Sequence, residues 1–215
     1  MPDGKFGGNG ELPVDPWVLG ALIGDGSLTE ASVRFSTASE ETIRRMTARL
    51  PEELLVVHAG GPDWRIVQRE PRRLHGFVRS GNPLTGDLKK LGLWGLQSHE
   101  KFIPRAYLDA ARDARVDLLR GLLDTDGWVE RWGTVRLSTS SDALARDITE
   151  LVRSIGGWCS RSVRRPTFRH RGELRQGRVA HVLTIAHPAP GELMLQSEKQ
   201  VRAARTRTRR RMPVF

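Results

Sequence analysis

The chain has one cysteine, one tyrosine and only five lysines in 215 residues. Cys159 on its own cannot close an internal disulfide, and a zinc cage built on cysteine is excluded with it. No apolar run reaches the roughly 18 residues that span a bilayer, so no membrane association is expected. The opening stretch, "MPDGKFGGNG", lacks the apolar segment of a secretory signal. Cytoplasmic, nucleoid-associated residence is the matching expectation. Neither G-x-G-x-x-G nor G-x-x-x-x-G-K-[ST] occurs, which sets aside a nucleotide-cradling glycine loop. "DTDG" lacks the further acids of a calcium loop, and the six histidines show no metal-ligand spacing.

Acids are scarce in one part only. From Leu151 to Phe215, 15 Arg or Lys stand against 3 acids, whereas residues 1–150 carry 20 against 22. Arginine-rich codon usage accounts for 30 of 35 basic residues being Arg, but not for this asymmetry. A basic region of such density implies a polyanion partner, most often nucleic acid. At 38% hydrophobic residues the chain can still bury a core.

The chain also repeats itself. "DGSLTEASVRFSTAS" from Asp25 returns as "DGWVERWGTVRLSTSS" from Asp126, 101 residues later. "GLQSHEKFIP" (Gly95–Pro104) matches "MLQSEKQVR" (Met194–Arg202), so Lys101 follows Asp25 by 76 residues and Lys199 follows Asp126 by 73. Ordered landmarks of this kind indicate a duplicated unit of about 100 residues. The expected division is an N-terminal arm at 1–14, a first repeat at 15–104, a second at 105–205 and a basic tail at 206–215.

Within each unit, local signals give the elements. Asp15-Pro16 is a cap and first-turn proline for the helix "WVLGALIG", and Asp113 is the expected cap of "ARVDLLRGLLDT". Val33/Phe35 and Val135/Leu137 alternate with Arg34/Ser36 and Arg136/Ser138, the period of a half-buried strand. "SEETIRRMTARL" and "SDALARDITELVRSIG" are amphipathic helices. "ELLVVHAG", "DWRIVQRE", "WCSRSVRR" and "RVAHVLTIA" are further strands, and "GDLKKLGLWG" and "SEKQVRAAR" are closing helices. The fold class is α+β, with one sheet face covered by helices. Trp17, Trp94, Trp128, Trp132 and Trp158 are expected in the core. Trp64, beside Arg65, Gln68 and Arg69, is expected to face a ligand.

Twice, a greasy helix ends in Asp-Gly. A carboxylate there opposes the helix dipole by about 0.3–1 kcal/mol, and two brought together repel. A hard divalent cation such as Mg²⁺ or Ca²⁺ relieves both penalties. Gly20 and Gly24, matched by Gly121 and Thr125, let two backbones pack closely, so that Asp25 and Asp126 emerge side by side.

"VLGALIGDG" (Val18–Gly26) and "LRGLLDTDG" (Leu119–Gly127) resemble the paired signature helices of single-chain, two-repeat LAGLIDADG homing endonucleases, and "EKFIP" resembles those embedded in inteins. The resemblance covers roughly Trp17 to Arg205. It implies two pseudo-twofold-related αββαββα units with antiparallel sheets forming a saddle over DNA, their signature helices paired at the interface. It also implies a monomer that cuts both strands at a long asymmetric target, leaving short 3′ overhangs. Asp25 and Asp126 become the metal-binding catalytic acids, with the carbonyls of Gly24 and Thr125 as further ligands. The metal is Mg²⁺, with Mn²⁺ or Ca²⁺ substituting for binding. Lys101 and its counterpart Lys199 become the catalytic basic residues that lower the pKa of the attacking water or stabilise the charge building on the scissile phosphate of double-stranded DNA. The expected DNA face comprises Arg34, Arg65, Gln68, Arg136, Arg161, Arg164 and Arg175, since Arg and Gln read base edges. The motif departs at Ile23, where the second helix has Asp124, and Asp124 is therefore expected to be structural. Met-Pro at the start and "RRRMPVF" at the end do not support self-splicing. A catalytically inactive DNA-binding regulator and an RNA maturase are the alternatives on this scaffold.

Overall fold

The computed structural model describes residues 12–29, 32–70, 73–74, 77–78, 81–170 and 172–204. The arm up to residue 11 and the tail from residue 205 lie outside the described residues. In chain order the elements are α1 (Pro16–Asp25), β1 (Gly26–Ser27), β2 (Val33–Ser36), α2 (Glu40–Arg49), β3 (Leu54–Gly60), β4 (Asp63–Gln68), β5 (Arg73–Leu74), β6 (Phe77–Val78) and α3 (Pro83–Lys90). There follow α4 (Arg105–Leu108), α5 (Arg112–Thr125), β7 (Gly127–Val129), β8 (Val135–Thr139), α6 (Asp142–Ser154), β9 (Trp158–Arg164), β10 (Thr167–His170), β11 (Glu173–Gln176), β12 (Ala180–Ala186) and α7 (Ser197–Ala204).

The two main sheets have equivalent antiparallel orders, β1-β2-β4-β3 and β7-β8-β12-β9. Each inner face is apolar: Val33, Phe35 and Ile66 in one, Val135, Leu137, Leu183 and Ile185 in the other, all at most 3% exposed. Two short hairpins, β5–β6 and β10–β11, were not apparent from the sequence. Among the described residues, no helix is long and apolar enough to cross a membrane.

The helices α1 and α5 pack along one another, and glycine makes this possible. A Cβ on Gly20 would sit 2.1 Å from the Leu118 carbonyl oxygen, and one on Gly121 would sit 2.1 Å from that of Trp17. Both values are far inside van der Waals contact. Apolar all round, α1 is buried from Trp17 to Ile23. Asp15 caps it, accepting from the Val18 N–H at 3.0 Å. The start of α5 differs from expectation. Ala111 is the cap and makes no side-chain bond, while Asp113 lies inside the first turn. There it favours the helix dipole instead of closing the end.

Asp124 fills the structural role its lone position suggested. Only 1% exposed, its carboxylate accepts from Trp17 Nε1 at 2.9 Å and from the backbone N–H groups of Leu195 and Gln196 at 2.9 and 3.0 Å. Replacing it with alanine strands three donors, one buried and two part-buried. Asp124→Ala is expected to cost about 3 kcal/mol in urea unfolding, with the denaturant slope unchanged.

Three tryptophans depart from expectation. Trp128, Trp132 and Trp158 are 38%, 67% and 50% exposed. Trp132 is on the β7–β8 turn, where Arg131 covers its ring at 3.9 Å, and Trp158 begins a strand with Arg153 nearby at 5.8 Å. Both rings are at element ends, where the core does not enclose them. Trp64 errs the other way. It pairs with Phe35 across β2–β4, packs against the core and donates Nε1 to the Thr37 carbonyl.

Candidate active site

The last residue of α1 is Asp25, and Asp126 is the C-terminal cap of α5. Close helix packing brings these ends together: a Cβ on Gly24 would sit 2.3 Å from Thr125 Oγ1 and 3.6 Å from Asp126 Cβ. The Asp-Gly pairing has a steric reason. A Cβ at Gly26 or Gly127 would meet the carbonyl oxygen of Leu22 or Leu123 at 2.3 or 2.6 Å. Only glycine lets the chain turn into β1 or β7 directly from the helix.

Both carboxylates are exposed to solvent, Asp25 in the lining of a cleft with Ser36 and Lys101, yet protein crowds them on the other sides. Burial raises the pKa of Asp25, and nearby Asp63 raises it further against the pull of Lys101. Burial and the neighbouring Asp25 carry Asp126 up to about 6, against Lys101 and Lys199. The folded protein therefore holds a proton on Asp126 more tightly than the unfolded chain does. That contribution is full below the unfolded value near 3.8 and is lost as pH rises through about 6. At pH 8 the charged carboxylate is a liability. Because it reaches water, the liability is discounted to about 1 kcal/mol. Asp126→Asn is expected to raise the metal-free melting temperature by about 2–4 °C at pH 8 and not at pH 4, as differential scanning fluorimetry would show.

The two lysines are arranged in parallel fashion. Lys101 is 2% exposed, and its ammonium donates to the carbonyls of Ile23 and Gly26 at 2.9 and 2.7 Å, Leu22 at 3.1 Å and Gly24 at 3.4 Å. Lys199 donates to Leu123 and Asp124 at 2.9 and 2.7 Å. Each thus satisfies the open C-terminal carbonyls of its own unit's signature helix. Burial lowers both pKa values, that of Lys101 to about 8, although the aspartates oppose the shift.

The donor set suits a hard cation: two carboxylates and main-chain oxygens, with no sulfur or imidazole among them. Thr125 Oγ1 is committed to the Gly121 and Leu122 carbonyls, so its main-chain oxygen is the available donor. Among the described residues, no group of three or more His, Cys, Asp or Glu side chains could hold a metal. A bound ion would rest on the Asp25–Asp126 pair and carbonyls.

Sheet register assigns the remaining candidates. Arg34 and Arg65 are direct partners across β2–β4, on the face opposite Phe35 and Ile66. Arg136 faces Thr184, and Arg164 faces Ala180, on the corresponding open face of the second sheet. Arg136 also pairs with Glu130 at 3.2 Å. Exposed Arg175 is opposite Phe168 on the β10–β11 hairpin and pairs with Glu173 at 3.3 Å. Two expectations need correction. Gln68 shares the core-side face with Ile66 and donates to the Gly81 carbonyl. Arg161 is opposite buried Leu183, where it bonds Asp142 and His181 beneath α6. Side chains alternate along a strand, so residues three apart, such as 65 and 68 or 161 and 164, cannot share a face.

Asp63 was missed. It stands on the open face, accepts from Ser36 Oγ at 2.5 Å and lies near enough to raise the pKa of Asp25. Only the strand register, not any local motif, could have revealed it.

Comparisons with known proteins fit this geometry. Residues 113–173 match the model of the LAGLIDADG-like domain. The chain is 31% identical over 176 residues to the replicative DNA helicase DnaB of Mycobacterium intracellulare, covering 82% of this chain and 24% of that protein. Identity with DnaB of Rhodothermus marinus is 28% over 153 residues, covering 65% and 16%. The chain thus spans a quarter or less of the length of these helicases. Among solved structures, a mesophilic variant of the homing endonuclease I-DmoI superimposes with a TM-score of 0.50 at 12% identity, over 90% of this chain and 94% of that one. That likeness is one of fold. By sequence the second unit is similar to the LAGLIDADG-like domain, and by fold nine-tenths of the chain is similar to the homing endonuclease, in agreement with the paired Asp-Gly helices and the repeated sheets.

Proposed function

We propose that the chain is a site-specific DNA endonuclease that hydrolyses phosphodiester bonds with a divalent metal. Its target is a long, asymmetric duplex, and its products carry short 3′ overhangs. One observation carries this reading: Asp25 and Asp126 meet at a single end of the helix pair, beside open sheet faces set with Arg34, Arg65 and Arg136. Two mutually repelling carboxylates with raised pKa values are a standing cost that a cation removes. Mg²⁺ held by Asp25, Asp126 and the Gly24 and Thr125 carbonyls would supply Lewis-acid polarisation of the phosphate and an activated water. The arginine faces hold the duplex, and the lysines keep the helix ends in shape.

The helicase likeness supports an origin inside an intein. The matched length is a quarter or less of each helicase, and this sequence has no G-x-x-x-x-G-K-[ST] nucleotide loop. On this reading the shared segment is an endonuclease domain inserted in the helicase gene.

Incubation with a randomised duplex library and Mg²⁺, followed by sequencing of the ends, tests the function. One recurrent long site with short 3′ overhangs is the expected result. Tight DNA binding without product would favour the inactive regulator. RNA-selective binding that ignores a DNA competitor would favour the maturase.

A further inference from the structure

We infer that each unit's lysine is positioned by the opposite unit: Lys101 by Ser141 at the start of α6, and Lys199 by Glu41 and Arg45 on α2. This rests on the nuclease reading above. It identifies which residues make the two halves of the site depend on each other.

Lys101 belongs to the irregular segment Gly95–Pro104, which has no helix or strand to hold it. Its support comes from across the seam. Ser141 Oγ donates to the Lys101 carbonyl at 2.6 Å, and the Ile103 N–H donates to Asp147 Oδ2 at 2.8 Å. Ser141 is 1% exposed and is also the N-cap of α6, accepting from the Leu144 N–H at 3.1 Å. One hydroxyl therefore joins the start of a second-unit helix to a first-unit lysine.

The reverse brace is built on α2. Arg45 donates to the Leu195 carbonyl at 3.1 Å, and Gln196 Nε2 donates to Thr42 Oγ1 at 2.9 Å. The carboxylate of Glu41 accepts from both the N–H and the hydroxyl of Ser197, at 3.0 and 3.1 Å. In the repeat, Arg45 corresponds to Asp147, since each is six residues past its helix-capping serine, Ser39 or Ser141. One donates to a carbonyl and the other accepts from an amide, yet each grips the opposite unit's lysine segment. The arrangement is kept while its chemistry has changed.

The consequence passes down a short chain of contacts. A gripped segment fixes the lysine, whose ammonium fixes the carbonyls at the end of α1 or α5, and those ends present Asp25 and Asp126. Ser141, Glu41 and Arg45 are positioning residues: none touches the reacting atoms.

Lysine acetylation by an N-hydroxysuccinimide ester under native conditions, quantified by mass spectrometry, tests this without requiring activity. In the unaltered chain Lys90, with its 77% exposed side chain, labels fully, while buried Lys101 and half-buried Lys199, its ammonium held by two carbonyls, label more slowly. Ser141→Ala is expected to raise labelling of Lys101 by about tenfold, the effect of one lost hydrogen bond on a local opening, and to leave Lys199 unchanged. Glu41→Ala should do the converse. Ser141→Gly keeps a good helix cap without the hydroxyl and should behave like Ser141→Ala, whereas Ser141→Thr should restore protection. Both lysines changing together, or neither, would overturn the inference. On a duplex labelled in both strands, the two variants should accumulate opposite nicked intermediates, with kcat for one strand reduced and KM unchanged. Equal slowing of both strands by both variants would also overturn it. If even the unaltered chain cuts nothing, the nuclease reading falls, and the labelling pattern still decides the bracing.

Discussion

On the proposed function, Asn in place of Asp25 or Asp126 is expected to abolish linearisation of target DNA, with the rate falling by about 10³-fold or more, while affinity for the same duplex stays within a few-fold. The reasoning runs from the position of the two acids. Each ends a signature helix, and the two are close enough that Asp25 helps to raise the pKa of Asp126. Asn preserves shape but supplies a neutral, weaker ligand for a hard cation. On the same proposal binding is spared, because it would come from the arginine faces, and removing a negative charge beside the phosphates would assist it. Gel-resolved cleavage of a supercoiled target, with binding measured in Ca²⁺, separates the two effects. Linear product at the unaltered rate from both variants would end the metal-acid reading. A nicked circle as the residual product fits it.

Valine at Gly20 or Gly121 gives the largest expected effect on stability, a loss of about 3 kcal/mol or more. The added Cβ would lie 2.1 Å from a backbone oxygen of the facing helix, and a backbone cannot rotate away as a side chain can. The helix pair must therefore separate along its length, opening the layer formed by Leu19, Leu22, Leu118 and Leu122, all fully buried. Gly86 is the control. It lies in α3 with nothing within 4 Å of an added Cβ, so Gly86→Ala is expected to stabilise by about 0.5–1 kcal/mol. Urea midpoints would distinguish the two classes of glycine. Equal effects at Gly20 and Gly86 would show that the helices are not in the close contact described.

Much of this was legible in the sequence for identifiable reasons. The repeat gave the unit, and the alternation in "VRFS" and "VRLS" gave the inner strands with their faces. Asp15-Pro16 marked a helix start because its cap is local. The aspartate pair was legible because small residues four apart imply close helices. Strand-to-strand relations were not local and could not be read. Asp63 is set beside Asp25 by register with Ser36, whereas the wrong face given to Gln68 and Arg161 was avoidable, since alternation within one strand already separates 65 from 68 and 161 from 164. The β10–β11 hairpin escaped notice because both its faces are exposed, which leaves no alternation of apolar and polar residues. The lysines were singled out, but their engagement with helix carbonyls depends on contacts 75 or more residues away in sequence.

That hairpin makes the molecule lopsided. Between β3 and β4 the first unit turns back within two residues, whereas the second extends β9 and β12 into the β10–β11 ribbon. Four residues at about 3.3 Å each carry it roughly 13 Å farther, close to the rise of four base pairs. A footprinting experiment should therefore find unequal arms about the cut, the longer one on the side this ribbon overhangs.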